Sequence, residues 1–515
     1  MAPVPLIRMQ TKSLWLSCAL MLAYAILRLA IIPPDAAAVG GFKHDGAYIG
    51  IVANQVRAGH GLVNPAHYFL FLKPEKLPMP FHNANPGYPL AVAGVATLLN
   101  SDAIRAGLII SALSSLLLMS GIFFLVHNYT SDWRIPLAIA FLVALFPANW
   151  ADSLNVVPDA LCTALGIWAL AVVTRKQQSW WSALLIGVLL GGSWLCRSSS
   201  LLLWPAVLWF LVRSFPMRQA VRFALLAGIS FIAVISPWLI HTYHVWGSPF
   251  RSDAPYYMLQ NYYALRFGGD VTRFWRSLDT PPTFRTILKT EPLAFLRFYL
   301  HQIPTLLYML LAQLTDWHKV YLLPLFGLAF AALASARRVW RTPEFQAAGI
   351  LVFLNLATLN ARAPTVELRY LGPALIVVLL LALVPLKSGP RWLAYTAIAC
   401  FTCMSIGDVA LFRTLARPNN ENIQTRQDYL AVAHEFPGPV IVPMPYFFTY
   451  YSGRAALSPP YASKDDLLRF MDKYSVRYLA LPTAQLSYYY DMNSLAPAIQ
   501  PVKQVGSLSV FERLP

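Results

Sequence analysis

The chain has 515 residues, of which 57% are hydrophobic and only 12% charged. It carries more bilayer-length apolar runs than one soluble core could absorb, which excludes a soluble globular protein. The formal charge of +17 gathers at the ends of those runs, as in a membrane protein, and no aromatic-basic groove or reading helix points to nucleic acid.

Arg8 and Lys12 precede the first apolar run, 14–32. Ala36-Ala37-Ala38 imitates a signal cleavage site, but the run is long for a signal peptide, so it reads as an uncleaved first span. Further spans are predicted at 104–126, 135–150, 156–173, 181–195, 199–213, 220–240, 320–336, 345–360, 369–386 and 391–412. Basic clusters at Arg8/Lys12, Arg134, Arg175/Lys176, Arg213/Arg218/Arg222, Arg337/Arg338/Arg341 and Lys387/Arg391 fall on one side if the N-terminus is cytoplasmic and the chain crosses about eleven times. The run 293–314 contains Arg297, His301 and Pro304 and does not fit that count, so it reads as a helix on the outer surface or a short re-entrant segment. A twelfth or thirteenth crossing follows if it pairs with another short segment. Cys18, Cys162, Cys196, Cys400 and Cys403 lie in or beside apolar runs and outline neither a disulfide framework nor a zinc site.

Three regions lie outside: an opening loop at 33–102, a Tyr- and Arg-rich stretch at 241–319 that includes the interfacial helix, and everything after about residue 413. The last changes character. It reads as helix at 425–436, strand at 439–443, helix at 462–474 with Ser463 as N-cap, and strands at 476–481 and 505–512. The expected fold is mostly α, a polytopic membrane domain over 1–413, followed by a small extracytoplasmic α/β domain over 414–515.

The opening loop holds the candidate chemistry: His44-Asp45-Gly46-Ala47-Tyr48, then His82-Asn83-Ala84-Asn85-Pro86-Gly87-Tyr88-Pro89. Asp45, a carboxylate just outside a span, is placed to take a proton from an attacking hydroxyl; the same residue also suits an N-cap of a helix over 46–56. A departing phosphate needs cations. Arg197 and Arg369 are the outer-side arginines best placed for that, with Arg362 and Arg266 as weaker options, while snorkelling to headgroups is the competing role. Asp159 is either a cap or a second acid of the site. The loop histidines His44, His60, His67 and His82 match no zinc spacing. His241 and His244 share a helix face, which leaves a divalent metal as a minor alternative to none. The aromatic clusters at 447–451 and 488–490 suit domain packing or an interfacial seat better than a sugar platform.

Taken in order, these residues resemble the GT-C glycosyltransferases that use polyprenyl-phosphate sugars, the class of protein O-mannosyltransferases and lipid A aminoarabinose transferases. His44-Asp45-Gly46-Ala47-Tyr48 stands where that family has an acidic pair and an aromatic residue. Asn85-Pro86-Gly87-Tyr88-Pro89-Leu90 is similar to its proline-rich segment, with Arg105 as the arginine that follows. Pro158-Asp159-Ala160-Leu161, Gly191-Gly192-Ser193-Trp194-Leu195-Cys196-Arg197 and Glu367-Leu368-Arg369-Tyr370-Leu371-Gly372-Pro373 resemble its later signatures. The family's acidic pair is Asp45-Gly46 here, so one carboxylate remains; Pro237-Trp238 is kept but followed by Leu239-Ile240-His241-Thr242, with His-Thr where arginine-asparagine is usual.

The resemblance implies an inverting membrane glycosyltransferase. It would move one sugar from a polyprenyl phosphate to an acceptor (lipid, polysaccharide or protein) on the extracytoplasmic face of a bacterial inner membrane. Asp45 would serve as base and Arg197 and Arg369 as donor-phosphate ligands; His44, Tyr48, His82, Tyr88, Asp159, His241 and Tyr370 would face substrate. No cofactor, nucleotide sugar or nucleic acid is implied. The alternative is a polytopic transporter or lipid flippase, which would carry ionisable residues deep in its spans; the charges here sit at span ends, with Arg28 as the exception.

Overall fold

The computed structural model describes residues 11–144 apart from 31, 34, 39–42, 82–84 and 131; 155–315 apart from 176 and 177; 340–363 with 377, 380 and 381; and 420–514. The predicted spans at 320–336 and 391–412, and all but three helical residues of 369–386, lie outside these residues. So do Cys400 and Cys403, and the predicted site residues His82, Arg369 and Tyr370.

The helical part comprises α1 (Thr11–Ala30), α2 (His44–Arg57), α3 (Gly87–Leu98), α4 (Ala103–His127), α5 (Arg134–Ala144), α6 (Asp159–Val173), α7 (Trp180–Cys196), α8 (Leu203–Ser214), α9 (Met217–Trp246), α10 (Pro292–Thr315) and α11 (Pro343–Asn360). Among the described residues, α4 and α9 are long and apolar enough to cross a membrane on their own measure. The shared core is built where α4 packs on α5 and α6, and α7 on α6 and α9. Gly187 and Gly191, one turn apart on α7, face α9 so closely that an added Cβ at Gly187 would sit 2.0 Å from the Ala227 carbonyl oxygen. Small residues at that spacing let two helix backbones meet where side chains would hold them apart. The outward faces stay apolar: Trp15, Leu22, Ile26 and Leu27 on α1, and Val221, Leu225, Ile229 and Ile232 on α9, are all exposed. Such a belt is unfavourable in water and neutral in lipid.

The structure moves one boundary. Helix α9 continues to Trp246 and ends at Gly247 in the left-handed region (φ 68°), so His241 and His244 are helical and the second loop starts later than 241. Helix α10 is continuous through Pro304; at 1.5 Å per residue its 24 residues span about 36 Å, so its length suits a crossing as well as a surface position. It is fastened to α11 by Tyr299, whose hydroxyl donates to the Ala357 carbonyl at 2.7 Å and whose own carbonyl accepts from Asn360 at 2.6 Å.

The C-terminal part contributes α12 (Asn420–Glu435), α13 (Pro445–Ser452), α14 (Lys464–Lys473) and most of a six-stranded sheet. Its strands are β2 (Ala66–His67), β4 (Val440–Ile441), β5 (Ala456–Leu457), β6 (Tyr478–Pro482), β7 (Ile499–Val505) and β8 (Leu508–Arg513), in the order β2-β5-β4-β6-β8-β7. A separate pair joins β1 (Val63–Asn64) to β3 (Met79–Pro80), antiparallel. The caps follow the sequence: Ser463 accepts from the Asp466 amide at the start of α14. Strand β2, however, comes from the opening loop and pairs in parallel with β5, Ala66 opposite Ala456. The first loop and the C-terminal segment thus share one sheet, and the sheet reaches beyond 414–515. Its own cores pack Leu467, Met471 and Leu479 on one face and Val432, Phe448 and Val510 on the other.

Candidate active site

A cavity of about 820 Å³ lies where the first loop, the ends of α6, α7 and α11, helix α9 and the sheet region meet. Asp45, His44 and Tyr48 enter it from the start of α2. The N-cap of α2 is Lys43, so Asp45 sits inside the first turn and is not the cap residue. That position is the positive end of the α2 dipole. Tyr48 packs on Phe81 (ring centroids 5.7 Å apart) and on Tyr446 of α13 (5.1 Å). The His44 ring lies between Tyr68 (4.7 Å) and Tyr446 (4.5 Å). Burial there drives its pKa down to about 4, with the Asp45 charge pulling weakly the other way.

Asp159 opens α6, and Pro158 is its N-cap, so this acid too lies within the first turn. It is buried and paired with Arg197, which donates through Nη1 to Oδ1. Arg197 is the residue at which α7 ends: its backbone turns extended (φ −155°, ψ 124°) and projects the side chain into the cavity. The motif around Asn85 explains why this end is fixed. Asn85 donates to the Trp194 carbonyl, and Gly87 abuts Leu195, where an added Cβ would stand 2.7 Å from the carbonyl oxygen. Tyr88 does not reach the cavity; its hydroxyl, 3.0 Å from the Gly107 carbonyl and 2.7 Å from Ser111, ties α3 to α4 instead. His241 stacks on Trp238 at 5.2 Å, and it is Trp238, not His241, that lines the cavity. Arg266 lies elsewhere, on Glu291 at 3.4 Å.

Arg362, a weaker option by sequence, lines the cavity just past the end of α11, together with Asn355 and Thr358. Polar residues spaced three and four apart near the end of an apolar helix are the signal that could have ranked it higher. Arg251, Tyr68, Tyr257, Trp275 and Tyr446 reach the cavity from three separated segments and share no local periodicity that would mark them together as a site. Among the described residues no three His, Cys, Asp or Glu side chains converge as a metal site. The arrangement therefore joins a carboxylate at a helix start to guanidinium groups, within an enclosure walled by aromatic rings.

Residues 83–241 match the model of the family described as dolichyl-phosphate-mannose-protein mannosyltransferase. A sequence search of curated proteins returned no match. In solved structures the fold recurs almost end to end in ArnT from Cupriavidus metallidurans bound to undecaprenyl phosphate: TM-score 0.60, 12% identity, covering 98% of this chain and 99% of that one. It recurs in the archaeal oligosaccharyltransferase AglB from Archaeoglobus fulgidus, in complex with an inhibitory peptide and a dolichol-phosphate, at TM-score 0.58 and 11% identity over 98% of this chain and 75% of that one. The arabinofuranosyltransferase AftD from Mycobacteria gives 0.55 and 12% over 96% of this chain, which spans 40% of AftD. At these identities the likeness is one of fold.

Proposed function

We propose, from the GT-C architecture that this chain shares with those proteins, that it is a membrane glycosyltransferase taking one sugar from a polyprenyl phosphate and transferring it with inversion to an extracytoplasmic acceptor. The observation that carries the proposal is that Asp45, Arg197 and Arg362 line a single cavity bounded by apolar helices. In this reading the Asp45 carboxylate takes the proton of the acceptor hydroxyl as its oxygen attacks the anomeric carbon, and the bond to the lipid phosphate breaks from the opposite face. The departing phosphate gains charge and meets the guanidinium groups of Arg197, Arg362 and Arg369, the last outside the described residues. Asp159, engaged by Arg197, holds that guanidinium in place, so the base is assigned to Asp45. The chemistry calls for no nucleotide or redox cofactor. The chain would sit in a bacterial inner membrane, N-terminus cytoplasmic and sheet region outside.

The test is release of polyprenyl phosphate by the purified protein in nanodiscs, given polyprenyl-phosphate sugar and a membrane extract as acceptor source. Asp45→Asn should slow release about 10²- to 10⁴-fold without altering thermal unfolding. A folded Asp45→Asn variant that works at the parental rate overturns the assignment.

A further inference from the structure

The wall of the cavity beside His44 differs in chemistry from the end that holds Arg197. Tyr68 stands against His44 at 4.7 Å, against Trp275 at 5.9 Å and against Phe69 at 5.3 Å, and Phe69 in turn meets Tyr257 at 4.8 Å. These rings come from the first loop and from the 251–275 segment, and all five residues line the cavity. His44 Nε2, Tyr257 Oη and Trp275 Nε1 are buried there without a hydrogen-bond partner among the described residues. A buried polar atom without a partner is costly, and three of them lie on this one aromatic wall of the cavity.

From this patch we infer, resting on the glycosyltransferase reading above, that it is the acceptor subsite and that the acceptor is itself a carbohydrate. A sugar ring offers what the patch lacks on both counts: an apolar C–H face to lie on the aromatic planes, and hydroxyls to pair with the imidazole nitrogen, the phenol and the indole N–H. The rings that cover these three atoms shift by side-chain rotation to admit it, a common change on binding. A lipid chain would leave all three unpaired. Asp45, the neighbour of His44, then stands at the boundary between the sugar-accepting wall and the cationic end, where a hydroxyl of the docked ring would have to lose its proton.

The experiment uses the full chain in nanodiscs on an array of bacterial-surface oligosaccharides beside an array of peptides, with retained undecaprenyl phosphate followed by native mass spectrometry. Wild type should retain at least one oligosaccharide class and no peptide class. Tyr257→Phe deletes only the unpartnered hydroxyl, whereas Trp275→Phe removes the indole N–H together with part of the ring; each should weaken that retention about fivefold. The unfolding temperature of Tyr257→Phe without ligand should stay level or rise, because a buried orphan has been removed and the ring retained; a merely structural role for the hydroxyl would lower it. No oligosaccharide retained by the wild type, peptide retention in its place, or retention untouched by both substitutions overturns the carbohydrate subsite while bound undecaprenyl phosphate leaves the donor reading standing. Absence of bound undecaprenyl phosphate from the wild type would refute the donor reading and this inference with it.

Discussion

Arg197→Gln and Asp159→Asn remove opposite halves of one ion pair, and the structure makes their costs unequal. Asp159 is 4% exposed and Arg197 25%. Removing one partner of a fully buried pair costs about 3–5 kcal/mol, because the other charge is left without compensation. In Arg197→Gln the stranded charge is the deeply buried carboxylate; the first-turn amides of α6 return about 1 kcal/mol, leaving a loss of about 2–4 kcal/mol. In Asp159→Asn the stranded charge is a guanidinium already a quarter in solvent, so the loss should be smaller, about 1–2 kcal/mol. The double variant strands neither charge and should recover part of the Arg197→Gln loss. Thermal unfolding in a fixed detergent, run as a double-mutant cycle, reads all three. On the proposed reading, in which Arg197 donates to the developing phosphate charge, Arg197→Gln should also lower transfer about 10²- to 10³-fold. If Arg197→Gln melts with the wild type, or the double variant is no more stable than Arg197→Gln, the pair does not hold this end of the cavity together.

Gly87→Ala should cost about 1–3 kcal/mol and reduce activity, because the new Cβ meets the Leu195 backbone, which cannot rotate aside, two residues from Arg197. Gly94→Ala on the same helix meets nothing within 4 Å and should instead stabilise by about 0.5–1 kcal/mol; equal melting shifts for the two would refute the contact. For His44, a folded pKa of about 4 against an ordinary 6.5 means that, between those values, the unfolded chain takes up a proton that the folded chain refuses. Stability should therefore fall as pH drops from 6.5 to 4, by at most about 3 kcal/mol, and lose nothing further from this group below that. His44→Phe should flatten that limb of the melting-temperature profile; an unchanged limb assigns it to other groups.

Much of the helical frame and of the tail was legible in the residues. Helix positions follow from apolar run length, and the described helices begin and end within a few residues of the runs at 104–126, 156–173, 181–195 and 345–360. Ser463 was readable as a cap because capping is local chemistry, and α14 begins directly after it. Asp45 was readable as a candidate because a carboxylate that closely follows an apolar run is conspicuous. The helix α13 was not: 447–451 reads as an aromatic cluster, and the packing partners of the adjoining Tyr446, Tyr48 and His44 among them, lie near the other end of the chain.

The sequence by itself determined that the chain is a set of apolar helices with a mixed tail, since period and run length are properties of neighbouring residues. Tertiary structure alone decided that β2 joins the sheet beside β5, because a strand of two residues has no periodicity and its register belongs to a partner far away in the chain. It also decided that Asp159 faces Arg197, that Tyr88 braces α4 and leaves the cavity to others, and that Arg362 lines it. Which side chains share one enclosure depends on how helices pack against each other, and that is set by contacts such as Gly87 on Leu195 and Gly187 on Ala227, visible only once the chain is folded.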